Sequence, residues 1–220
     1  MDELMPRFTN WAASVITEPA RRVQPRSVAE VVAEVKAAGM TGRQIRVVGA
    51  GHSFSPVAAT EDVLLNLDHL SGLVWVDVEA RRARFGAGTR LRDVPALLAP
   101  HGLALPNQGD IDSQSLAGLT QTGTHGTGLE FTGLAATVTG LTMVDAQGEL
   151  RELSASQDEL LFDFARLALG TFGVIVEIEM ACVPAFDLQA EELTEDLTEI
   201  IDTFVERSRV HDHIEFFWFA

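Results

Sequence analysis

Apolar residues Val28, Val31, Val32 and Val35 recur at the spacing that places them on one face of a helix. Ser27 stands at the N-cap position with Glu30 three residues on, and Gly39 supplies a stop, so the pattern predicts a helix from Ser27 to Gly39. The pattern then changes period. Gln44–Val48, Val63–Leu67 and Leu73–Val78 read as strands, and Arg81–Gly86 closes a hairpin with the last of these. Leu91–His101 reads as a helix closed by Gly102. Val138–Asp145 and Glu149–Leu153 flank the turn residues Ala146-Gln147-Gly148. Asp158–Leu167 reads as a helix and Val174–Ala181 as a β-branched strand. Leu193–Arg207 reads as an acidic amphipathic helix with Leu197, Ile200, Ile201 and Phe204 facing inward, and Ile214–Phe219 as a strand. Asn10–Glu18 looks irregular or briefly helical. Strands dominate, with helices interspersed rather than in strict alternation, which predicts an α+β fold with more than one sheet.

Two glycine-rich stretches interrupt this pattern. The first, Gly49-Ala50-Gly51, follows a buried strand and delivers His52 and Ser53 from a turn, and Pro56 stops an ordinary helix from starting there. Read as a dinucleotide fingerprint, it has Phe54 in place of the third glycine, and although Asp68 lies at the expected distance, no helix pattern lies between. Read as a nucleophile elbow, it has Ser55 in place of the final glycine, and Pro56 follows. No phosphate-binding loop of the Gly-Lys-Ser/Thr kind occurs. The bland reading of His52 is a satisfied loop histidine. Its position after a strand-glycine turn also suits an imidazole held against a large flat ligand, such as a flavin bonded through its ring methyl carbon.

The second stretch, Leu116–Gly128, contains Gly118, Gly123, Gly126, Gly128, Thr122 and Thr124. Consecutive backbone N–H groups there form a concavity suited to an anion; the alternative is a flexible surface loop, and His125 in its middle fits either. Histidines are scattered, and His211 and His213 sit in an acidic segment, so no metal site is expected.

Composition sharpens the choice. The 220 residues carry a net charge of −16, which disfavours nucleic acid or an anionic membrane as partner. That charge also makes uncharged main-chain donors the available means of holding a diphosphate. The single cysteine, Cys182, excludes a disulfide framework and suits a reducing, cytoplasmic setting. No apolar run of about 18 residues occurs, so no integral membrane segment is expected. Residues 186–220 hold ten acids against two arginines, a composition shift that places a domain boundary near Pro184.

Three motifs in order, RVVGAGHSFSP, LPNQGDIDSQSLAGLTQTGTHGTG and LGTFGVIVEIEM, resemble the FAD-dependent sugar-1,4-lactone and alditol oxidases. These are flavoproteins of the vanillyl-alcohol oxidase and p-cresol methylhydroxylase type, the arabinono- and gulono-lactone oxidases among them. The resemblance covers about residues 10–185. It implies a p-cresol methylhydroxylase-type FAD-binding domain over 1–185, in two α+β subdomains of about 1–70 and 71–185, with 186–220 as the truncated beginning of a substrate domain. It implies covalent FAD on His52, with Val47, Val48, Gly49, Ala50, Gly51 and Ser53 along the flavin. Ser115 and Asp110 match positions beside the isoalloxazine. Gly118, Thr122, Gly123, Thr124 and His125 match the diphosphate-binding loop, and Ile175 a backbone contact on the adenine side. Asp110 is the one catalytic candidate in the chain. Gly109 matches a place near the flavin edge that dioxygen must reach, where a small residue favours oxidase behaviour. The implied reaction is hydride transfer from a CH–OH group of a sugar lactone to FAD, with O2 as acceptor and H2O2 as product. The alternatives are a polyol oxidase, a lactone dehydrogenase with another acceptor, or a flavin-binding fragment without turnover.

Overall fold

The computed structural model describes residues 7–219. It begins with two short strands, β1 (Phe8–Thr9) and β2 (Ile16–Thr17), paired antiparallel around a tight loop. Asn10 organises this loop: its Oδ1 accepts from Val15 N–H at 2.9 Å, and its Nδ2 donates to Ser14 Oγ at 3.0 Å. The sequence pattern gave no sign of this hairpin, because two-residue strands are too short to show a period.

β3 (Arg21–Val23), α1 (Val28–Thr41), β4 (Ile45–Val48) and β5 (Val63–Asn66) build a parallel three-stranded sheet in the order β3-β5-β4. The central strand buries Val63, Leu64 and Leu65 almost completely, as a strand covered on both faces must. Ser27 caps α1 as expected, accepting from Glu30 N–H at 3.2 Å, while Glu30 reaches back to Arg26 N–H at 2.8 Å. The helix runs past Gly39 and ends at Gly42, whose left-handed φ of 66° lets Arg43 N–H bond the Ala38 carbonyl at 3.0 Å. Gly39 is tolerated inside the helix because its neighbours Val35 and Ala38 carry the packing.

β6 (Leu73–Asp77), β7 (Arg82–Gly86), α2 (Val94–Leu98), β8 (Leu103–Ala104), α3 (Leu116–Gln121), β9 (Val138–Val144), β10 (Leu150–Ser154), α4 (Glu159–Ala165), β11 (Val174–Ala181) and β12 (Val183–Pro184) follow. Five of these strands form one antiparallel sheet in the order β10-β9-β11-β7-β6. Its fully buried Phe85, Leu141, Ile178 and Met180 join Leu91, Leu98, Leu116 and Leu119 in the main core. Truncating a residue such as Phe85 there costs about 3–5 kcal/mol. A register shift between Ile175 and Glu177 leaves Val176 as a bulge, whose carbonyl accepts from Ala87 N–H at 2.9 Å.

The last helix, α5 (Leu197–Arg207), starts four residues later than the sequence pattern predicts. Its N-terminus is set by Asp196, which accepts from Thr198 N–H at 2.8 Å. None of its residues is buried: Leu197, Ile200 and Phe204 are half-covered and Ile201 is 59% exposed. The segment 214–219 forms no strand, and no described strand pairs with it; apolar alternation alone does not make a strand without an edge to pair on.

Candidate functional site

β4 ends beside the N-terminus of α3, and the two glycine-rich stretches meet there. Gly49 packs against Ser115 so closely that a Cβ on it would overlap Ser115 Oγ. Ser115 is buried and caps α3, accepting from Gly118 N–H at 3.3 Å. Gly51 turns the chain with φ at 70°, a conformation that favours glycine. The β1–β2 hairpin grips the turn: Trp11 N–H donates to the Gly51 carbonyl at 2.8 Å and Asn10 Nδ2 to the Ser53 carbonyl at 2.9 Å.

His52 is thereby held half-buried. Its ring stacks on Trp11 with centroids 5.3 Å apart and planes 19° apart, and its Nε2 lies 2.7 Å from Ser113 Oγ. Ser113 is itself fixed. Arg90 Nη1 donates to its carbonyl at 3.2 Å, Arg90 is ion-paired to Asp68, and the carbonyls on either side, of Asp112 and Gln114, accept from Arg92 and Leu91 N–H at 2.9 Å each.

A cleft of about 430 Å³ opens from His52 between the two sheets. One wall is Val47–Ser53 with α1; the other is the start of α3, the β7–α2 connection at Ala87-Gly88, the β9 end at Val144–Ala146, and Leu169–Ile175. Of the residues singled out in the sequence, Val47, Val48, Gly49, Ala50, Gly51, His52, Ser53, Ser115, Gly118, Thr122 and Ile175 line it. Gly109, Asp110, Gly123, Thr124 and His125 do not. They belong to an adjoining pair of segments packed back to back, where a Cβ on Gly109 would stand 3.1 Å from the His125 carbonyl and Asn107 Nδ2 donates to the Thr127 carbonyl at 2.9 Å.

The two glycine stretches differ in where their free donors lie. Among the described residues, none of the five backbone N–H groups from Gly49 to Ser53 has a protein acceptor. In the second stretch, Thr122 and Gly123 N–H donate to the Thr120 carbonyl and Thr124 N–H to that of Leu119, because Leu116–Gln121 folds as α3 instead of a loop. The four N–H groups from His125 to Gly128 likewise have no protein acceptor among the described residues, but those residues do not line the cleft, so the open donors beside it are those of the first turn.

The charge inside the cleft differs from that of the whole chain. Asp68 pairs with Arg90 and Asp145 with Arg151, while Arg43 and Arg46 line the cleft with no ion-pair partner among the described residues. The backbone N–H of Glu149, then the Arg151 guanidinium and the backbone N–H of Gln147, hold the Asp145 carboxyl below the usual range. A cleft with neutralised acids, two unpaired arginines and five open N–H groups suits an elongated ligand with an anionic middle.

One contributor escaped the sequence reading. Gln121, buried beside the cleft, donates from Nε2 to the Ala165 carbonyl at 2.8 Å and accepts at Oε1 from Ala168 and Gly170 N–H at 3.1 Å each. It pins the Leu169–Gly173 segment, in which Leu169 itself takes a left-handed φ of 55°. That segment opens the LGTFGVIVEIEM motif, in which Gly170 and Gly173 are paired. Cys182, by contrast, lies in the core; burial pushes its thiol up to about 11, so it stays protonated and unreactive at neutral pH.

The model of a family described as "FAD binding domain" matches residues 19–154. The chain belongs to this FAD-binding family. Among curated relatives, it is 36% identical over 216 residues to an L-gulono-1,4-lactone dehydrogenase of Mycobacterium tuberculosis, covering 98% of this chain and 50% of that one. It is 34% identical to an L-gulonolactone oxidase of Bos taurus, covering 97% and 48%, and 33% identical to a D-arabinono-1,4-lactone oxidase of Saccharomyces cerevisiae, covering 84% and 36%. The chain thus spans about half the length, or less, of these relatives. In three dimensions it resembles 6-hydroxy-D-nicotine oxidase from Arthrobacter nicotinovorans with a TM-score of 0.69 and 26% identity, covering 76% of this chain and 37% of that one. The fold is the p-cresol methylhydroxylase-type FAD-binding architecture expected from the three motifs. Among the described residues, no helix is long and apolar enough to cross a membrane.

Proposed function

We propose that this chain is the FAD-binding part of an oxidoreductase that oxidises a CH–OH group of a sugar-1,4-lactone, with FAD attached through His52 and O2 as the acceptor. Residues 1–185 are read as the FAD-binding domain and 186–220 as part of a substrate-facing one. The observation that carries the reading is the row of five residues lining the cleft, Gly49–Ser53, that contains His52 and whose N–H groups have no protein acceptor among the described residues. The residues fit the cofactor: Gly49 leaves the approach that a Cβ would close, and the open donors with Arg43 and Arg46 offset a diphosphate. Bound FAD supplies two-electron acceptance from the alcohol carbon. The chain's own part is to orient, exclude water and neutralise. Ser115 and Gly118 shape the floor, Ile175 and Leu169–Gly173 close the far end, and His52 anchors the near end. Asp110 is exposed and off the cleft, which limits it to contact with a substrate arriving from outside.

The named activities of the relatives, lactone oxidases and a lactone dehydrogenase, are the support for the substrate class. A cytoplasmic setting is part of the same reading. The test is the mass of the peptide containing His52 after acid precipitation of the purified protein. An added FAD mass on His52, lost in His52→Ala, is expected; an unmodified peptide from protein that retains FAD only until acid is added removes the covalent attachment. Lactone-dependent uptake of dioxygen by the protein carrying both domains tests the acceptor.

A further inference from the structure

We propose that Ser113 is the positioning residue that selects Nδ1 of His52 as the nitrogen bonded to FAD and that manages the proton this bond displaces. The proposal rests on the reading of His52 as the attachment point.

The argument starts from the 2.7 Å contact between His52 Nε2 and Ser113 Oγ. A neutral imidazole has one N–H and one lone pair, and the partner of one nitrogen decides the role of the other. Ser113 does not line the cleft, whereas His52 does, so Nε2 is committed to a group off the cleft and Nδ1 is the nitrogen left for the ligand. With Nε2–H donating to the hydroxyl, Nδ1 carries the lone pair. Trp11, stacked on the ring face, and the Asn10 and Trp11 bonds to the turn oppose rotation of the ring.

The hydroxyl suits both ends of the reaction. When Nδ1 bonds to the ring methyl carbon of oxidised FAD, that carbon loses one hydrogen. The imidazole loses the proton on Nε2. The electron pair of the broken C–H bond remains on the flavin, which with two protons ends reduced by two electrons. Dioxygen, or another two-electron acceptor, then restores the oxidised form and leaves as hydrogen peroxide or its reduced equivalent. After the bond forms, Nε2 holds the lone pair. In the Nε2–H tautomer that the proposal requires, Ser113 accepts from Nε2–H before the bond forms; afterwards it donates its own O–H to Nε2 across the same separation. A carboxylate or a carbonyl at that place only accepts and would be left facing a lone pair. Ser113 can exchange roles without moving because Arg90, Arg92 and Leu91 fix the main chain around it.

Nitrogen-15 NMR of the protein without FAD reads the tautomer directly: Nε2–H should predominate at His52, and Ser113→Ala should give a mixture. In air, acid-stable flavin should form on Ser113→Ala about tenfold more slowly than on the parent, the loss of one hydrogen bond, and Ser113→Thr should restore the rate. Binding of FAD in the His52→Ala background should be the same with and without Ser113→Ala, which separates positioning of the ring from damage to the cleft. A predominant Nδ1–H tautomer in the parent overturns the proposal, as do equal rates for parent and Ser113→Ala, or weakened binding in the His52→Ala background that matches the loss in rate. No acid-stable flavin on the parent overturns the covalent attachment itself, and this proposal with it.

Discussion

Gly49 shows how one missing methyl group sets the geometry of the cleft. Its Cβ would stand where Ser115 Oγ now caps α3. Gly49→Ala therefore forces Ser115 to give up its bond to Gly118 N–H, a loss of about 1 kcal/mol in stability, and narrows the approach to the five open donors. Ser115→Ala alone should cost a similar amount. The double variant should cost less than the two single changes together, as urea denaturation of the set would measure. At Gly109 an added Cβ meets the His125 carbonyl at 3.1 Å, close enough to demand a small shift and not enough to break the fold. Gly109→Ala should leave stability within about 1 kcal/mol. In the protein carrying both domains it should lower the rate constant for reoxidation by dioxygen more than that for a dye, as stopped-flow absorbance would show. Equal slowing with both acceptors would mean that Gly109 does not govern access to dioxygen.

At the scale of elements, α3 bridges two parts of the cleft, its cap Ser115 packing on Gly49 at the end of β4. Its last residue, Gln121, ties it to the end of α4 and the segment that follows by three hydrogen bonds. Gln121→Leu keeps the size but leaves the Ala168 and Gly170 N–H groups and the Ala165 carbonyl without that partner. It should cost about 1–3 kcal/mol and weaken FAD binding at least tenfold by calorimetry. The β9–β10 hairpin carries the acid response. Asp145 is held below its ordinary value by Glu149 and Gln147 N–H and by Arg151. A lowered folded-state value means the contribution is complete above the unfolded carboxylate range, near pH 4, and disappears as pH falls through the folded value. The melting temperature of the parent should exceed that of Asp145→Asn at pH 7, and the gap should close below pH 4. These two elements also show what a sequence discloses. β4, β5 and the strands of the antiparallel sheet were legible because their apolar runs, such as Val63–Leu65, Leu141 and Ile178, are buried, whereas β3, three residues with two arginines, was not. α3 was hidden: glycines and threonines dominate Leu116–Gly128, and its helix depends on the Ser115 cap and on Leu116 and Leu119 entering a core that only the fold assembles. The 214–219 segment misled in the opposite direction, with apolar residues and no edge to pair on.

For the whole molecule, the parallel sheet spans residues 21–66 and the antiparallel sheet 73–181, and the cleft is where they face each other. His52 was readable from its setting in the chain, because a strand, a glycine turn and a histidine are local. Ser113, Gln121 and Arg90 were not, because each acts on a group 20 or more residues away. The −16 net charge, taken alone, argues against an anionic ligand; inside the cleft the pairing of Asp68 and Asp145 with arginines, together with Arg43, Arg46 and the open N–H groups, reverses that.

Because one wall of the cleft comes from each sheet, a molecule lying in it acts as a rivet between the halves. Its grip adds to folding stability in proportion to the logarithm of its concentration over its dissociation constant. Were it bonded to His52, as proposed above, dilution could no longer remove it, and the seam would stay fastened through every cycle of use.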